Sequence, residues 1–125
     1  MVETIAKEFS AFEKKYNDCS YLSILNINNQ KGKIALGNSD FDTITVEHSN
    51  GAMSISDVVM KKTAIVLNSV NLEVTNLYGE TAKISLTKSY LSYYNDETTA
   101  LVLHIPVYAG GSQLEVGNNI KVEGK

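Results

Sequence analysis

Residues 1–19 read MVETIAKEFSAFEKKYNDC, and their apolar spacing sets the first expectation for the fold. Val2, Ile5, Phe9, Phe12, Tyr16 and Cys19 recur at steps of three and four, which draws one apolar stripe along one side of a helix. Glu3, Lys7, Glu8, Ser10, Glu13, Lys14 and Lys15 fall between them and suit water. Glu3 in the first turn and Lys14–Lys15 in the last complement the helix dipole. Asn17–Asp18 and Ser20 favour a stop. The pattern predicts an N-terminal amphipathic helix whose packing stripe is Ile5, Phe9, Phe12 and Tyr16.

Beyond residue 20 the helical period gives way to short alternating runs separated by turn residues. Tyr21 to Asn28 is apolar on both faces, as in a strand covered on both sides. Phe41 to His48 alternates, with Ile44 and Val46 inward, and ends at Asn50–Gly51, a pair favoured in hairpin turns. Thr63 to Asn76 is the longest strand candidate, and its apolar parity changes from Ile65 and Leu67 to Val70, Leu72 and Val74. A one-residue shift swaps the faces of a strand, so a β-bulge or bend is expected near Asn68–Ser69. Thr81 to Tyr90 and Thr98 to Tyr108 follow, the second carrying Pro106, which places that point at an edge or bulge. Leu114 to Gly124 reads as a short terminal hairpin that leaves an open edge. No internal repeat or linker stands out. The expected architecture is therefore one domain over residues 1–125, with a helix over 1–19 and a β body over 20–125. Its class is α+β: a helix packed on a curved, mostly antiparallel sheet or small barrel of about seven to nine strands.

Composition narrows the function classes. The 11 basic residues are all Lys, against 14 acidic residues, for a formal charge of −3. Arg, the usual residue for bidentate phosphate and guanine contacts, is absent, and the lysines are scattered. Nucleic acid is not expected as a partner. No apolar run reaches the roughly 18 residues of a membrane span, and the charged start does not suit a secretory signal, so a cytoplasmic location is expected. Cys19 falls on the helix stripe as a buried thiol.

Signatures of catalysis are missing: the chain holds no Cys-x-x-Cys, His-Glu-x-x-His, phosphate-binding loop or Gly-x-Ser-x-Gly. Two His and one Cys leave little to ligate a metal, so neither cofactor nor metal is expected, and the chain reads as non-enzymatic. The oxygen-rich turn Asn38-Ser39-Asp40-Phe41-Asp42 lacks the glycine and distal glutamate of an EF-hand. His48 and His104 share parity with apolar neighbours and read as core or interface histidines. Tyr90, Tyr93, Tyr94 and Tyr108, with His104, form the candidate interface or ligand cluster, Tyr93 facing opposite to Tyr90 and Tyr94. The expected function is a protein–protein assembly subunit, a homo-oligomer of the virion or phage structural kind or an inhibitor-like component. The alternatives are a module holding a hydrophobic or sugar ligand between sheet and helix, and an OB-like single-strand binder.

Overall fold

The computed structural model describes residues 4–7, 12–17 and 22–123. Among them there is no helix. Eleven strands form one sheet wound into a parallel β-solenoid of about five turns. In chain order they are β1 (Thr4–Lys7), β2 (Phe12–Asn17), β3 (Leu22–Asn29), β4 (Gly32–Val59), β5 (Lys62–Tyr78), β6 (Thr81–Thr87), β7 (Tyr90–Tyr94), β8 (Val102–His104), β9 (Tyr108–Ala109), β10 (Gln113–Val116) and β11 (Lys121–Glu123). Every strand pairing is parallel. This corrects the expected α+β class, the N-terminal helix and the antiparallel sheet. Ile5 lies in β1, and Phe12 and Tyr16 in β2. Phe9 and Cys19 lie outside the described residues.

The pairing register reveals the repeat. Thr43 pairs with Lys62 and Lys62 with Thr81, an advance of 19 residues per coil. Thr81 pairs with Val102 and Tyr90 with Gln113, so the later coil is longer by two to four residues. Stacking equal positions builds inward columns. One column is Leu25, Ile44, Thr63, Ala82, Leu103 and Val122. Others are Ile27, Val46, Ile65 and Ile84, then Met53, Leu72, Leu91 and Leu114, then Ile55, Val74, Tyr93 and Val116. These side chains are the core, which runs along the solenoid axis. Removing them from water is the main stabilising term, at about 25 cal/mol per Å² of apolar surface.

Corners explain the parity change. Asn50, Ser69 and Lys88 all have positive φ (56°, 59° and 52°), and they stand 19 residues apart. Asn38, Asp57 and Asn76 form a second such column (48°, 57° and 65°). One left-handed residue bends a strand and swaps its inward parity without reversing its direction. A two-residue hairpin of type I′ needs two such residues in succession. The Asn50–Gly51 pair is thus a corner and not the expected hairpin, and Ser69 marks a corner where a bulge was expected. A methyl group on Gly51 would run into the carbonyl oxygen of Gly32 in the coil above, so this corner demands glycine for close backbone approach.

Side chains take over where the longer coil interrupts the backbone ladder. The Ser89 hydroxyl accepts from the Val70 N–H (3.1 Å) and donates to the Thr87 carbonyl (2.8 Å). The buried Asn95 amide accepts from the Leu77 N–H and donates to the Leu77 carbonyl, both at 3.0 Å. Asn76 donates to the carboxylates of Asp57 and Asp96 at 3.1 and 3.0 Å, tying successive coils at the corner.

Candidate functional site

Strand alternation decides what the tyrosine cluster can offer. On β7, Leu91 and Tyr93 point into the core, so Tyr90, Ser92 and Tyr94 point out. Tyr93 is fully enclosed, donates its hydroxyl to the Leu77 carbonyl at 2.6 Å, and has its pKa pushed up to about 12 by burial. It is a core residue and not part of a surface.

The outward row is continuous with its neighbours above and below. Register places Asn71, Glu73 and Thr75 of β5 on one side of Tyr90, Ser92 and Tyr94. Gln113 and Glu115 of β10 lie on the other side, opposite Tyr90 and Ser92. The Tyr90 hydroxyl donates to Glu115 Oε2 at 2.7 Å, and this carboxylate raises the Tyr90 pKa. Tyr94 is 46% exposed. Gly117 lies beside its ring, where a Cβ would stand 3.2 Å from Cδ1, so a small residue keeps the ring accessible. Asn119 is committed to the Asn95 and Glu97 carbonyls and shapes the cleft beside Tyr94. Tyr90 and Tyr94 are four residues apart on one strand, about 13 Å at the strand rise.

The other candidates do not join this strip. Tyr108 lies on β9, which pairs with β6, and is exposed. His104 is on β8, with Nδ1 3.8 Å from Glu123 Oε1. His48 is buried and hydrogen-bonded to the Asn29 amide and to backbone carbonyls. Ser39 of the oxygen-rich turn is buried and donates to the Gly37 carbonyl at 2.6 Å, and Asp42 lies 3.7 Å from Lys61 Nζ. Among the described residues no group of three His, Cys, Asp or Glu side chains is placed to hold a metal. No helix is long and apolar enough to cross a membrane.

The C-terminal end carries a second surface. Among the described strands, β10 pairs only with β7 and β11 only with β8. Their inward residues Leu114, Val116 and Val122 are half-buried, whereas Leu72, Leu91, Val74 and Leu103 in the same columns are enclosed. Glu73, Glu115 and Gly117 were not singled out from sequence. The 19-residue spacing that aligns NGAMSIS (50–56) with SVNLEVT (69–75), followed by KSYLSYY (88–94) and GSQLEVG (111–117), is the signal that finds them. The chain matches no protein-family model, no curated protein and no solved structure.

Proposed function

We propose that this chain is a non-enzymatic assembly subunit that associates with further copies of itself through the C-terminal end of the solenoid. The observation that carries the reading is the half-buried trio Leu114, Val116 and Val122 on strands with one open edge among the described residues. A solenoid is held by contacts between neighbouring coils, and its terminal coil needs a polar cap or a partner to cover the exposed end of the core. An open strand edge also accepts an added strand through main-chain hydrogen bonds. Light scattering of the purified chain over a wide concentration range tests this. The expected result is a mass that rises with concentration, and a shift to monomer in Leu114→Lys and Val122→Lys. One monomeric mass at every concentration would overturn self-assembly.

A second reading is a glycan-binding face, favoured by the pairing of exposed tyrosines with hydrogen-bonding side chains in one outward row. Tyrosine rings stack on the apolar faces of sugar rings, and Asn71, Glu73, Gln113 and Glu115 supply donors and acceptors for hydroxyls. It replaces the expected cavity between sheet and helix, which has no helix to close it among the described residues. Titration with soluble oligosaccharides, followed through the Tyr90 and Tyr94 ring signals, tests it. Unmoved signals across neutral, acidic and amino sugars would set it aside.

A further inference from the structure

His48 is buried to 1% exposure and makes no ion pair among the described residues. Its Nε2 lies 3.1 Å from both the Gly32 and the Ala52 carbonyl oxygens. Two acceptors at one ring nitrogen require a proton there. Its Nδ1 lies 2.9 Å from Asn29 Nδ2 and 3.4 Å from the Asn29 carbonyl oxygen. In the neutral ring, Nδ1 therefore accepts from the Asn29 amide, which also donates to the Lys31 carbonyl at 3.1 Å. This leaves Asn29 Oδ1 buried with no hydrogen-bond partner. A buried acceptor in that state costs free energy that a new donor would recover.

We propose that His48 and Asn29 form a proton-operated latch on the Gln30–Gly32 corner. One proton taken from water onto Nδ1 makes both ring nitrogens donors. The Asn29 amide then turns over, so that Oδ1 accepts from Nδ1–H. Nδ2 moves to the far side and releases the Lys31 carbonyl. The corner loses its side-chain tie, while Nε2–H keeps its bonds to Gly32 and Ala52. The surroundings leave the change to these groups. Register stacks Asn29 of β3 on one side of His48 and apolar Leu67 of β5 on the other. The nearest charged side chains along the chain, Lys31, Lys33 and Glu47, are all exposed. The corner sits between β3 and β4, so acid would loosen the solenoid at that junction first. This inference is independent of the assembly reading.

The experiment is nitrogen-15 NMR of the His48 ring, with amide hydrogen exchange at residues 30–33, between about pH 8 and pH 5, where imidazoles ordinarily charge. The expected result is that Nδ1 changes from acceptor to protonated while Nε2 stays protonated. Exchange protection at the corner, corrected for intrinsic rates, falls about tenfold in the same range. His48→Gln should abolish that fall. Asn29→Asp, which puts a carboxylate beside Nδ1, should keep the ring protonated at the upper pH. A ring that stays singly protonated at pH 5 in the folded protein would overturn the latch. So would an equal loss of protection in His48→Gln. The ring signals of the unsubstituted protein decide the matter if that variant does not fold.

Discussion

Gly51, Thr63 and Tyr93 each show one side-chain or backbone group deciding a local free energy. The collision between a Gly51 methyl and the Gly32 carbonyl cannot be relieved by a rotamer change, because the obstacle is backbone. Gly51→Ala is expected to lower unfolding free energy by about 3 kcal/mol, read from urea midpoints. Thr63 occupies a core column between Ile44 and Ala82 with its hydroxyl buried and unpartnered. Thr63→Val keeps the shape and removes that hydroxyl, so it should raise stability by about 1 kcal/mol. A loss of stability in that variant would mean that the hydroxyl has a partner in solution. Tyr93 gives a pH signature. Its folded pKa is raised from 10.0 to about 12, so the folded state holds this proton after the unfolded chain has released it. Its contribution is full below about pH 10 and is lost as pH rises towards about 12, a change of about 2–3 kcal/mol. Urea midpoints at both ends of that range should show a smaller alkaline loss in Tyr93→Phe than in the parent.

At the scale of the element, β4 and β5 are long because left-handed corners let one strand bend and continue. Non-glycine residues pay about 1–2 kcal/mol for that conformation. Asn and Asp lessen it with local hydrogen bonds, and they fill the Asn38, Asp57 and Asn76 column. Ser69 and Lys88 in the other column have less to offset it. Ser69→Gly should therefore stabilise the chain by about 0.5–1 kcal/mol, because relief of strain exceeds the added freedom of the unfolded state. Ser69→Val should destabilise it. Equal melting of parent, Gly and Val variants would contradict the corner assignment. The odd-to-even change of apolar parity at Asn68–Ser69 was legible in the sequence. Its meaning was not, because a bulge, a hairpin end and a solenoid corner all shift parity by one residue.

For the whole molecule, stability is a sum over coils and their interfaces, so damage in one coil acts mainly on its neighbours. Ile65→Ala, in the column between Val46 and Ile84, should cost about 2–5 kcal/mol. Hydrogen exchange should then rise most in the adjoining coils. Uniform loss over the whole chain would indicate a single cooperative unit. The proposed association at the C-terminal end belongs to this scale too, since it extends the same coil-on-coil contact to another copy. The candidate tyrosines were legible as residue types, and their parity foretold that Tyr93 faces away from Tyr90 and Tyr94. Glu115 was not legible as a neighbour of Tyr90, because 25 residues of chain separate them.

What the amino-acid sequence determined by itself was local: strand positions, their inward and outward faces, the turn residues and the poverty of catalytic groups. Period-two alternation and turn chemistry act over a few residues and survive in any arrangement of strands. Only the tertiary structure decided that the strands run parallel, that corners replace hairpins and that β1 and β2 are strands. The spacing of three and four in residues 1–19 fits a helix in isolation. In the fold, β1 and β2 find partners in β3 and β4, some 20 residues onward. That pairing is a long-range choice which local periodicity does not encode. The repeat was present but faint, since each column keeps only apolar character and the later coil carries extra residues.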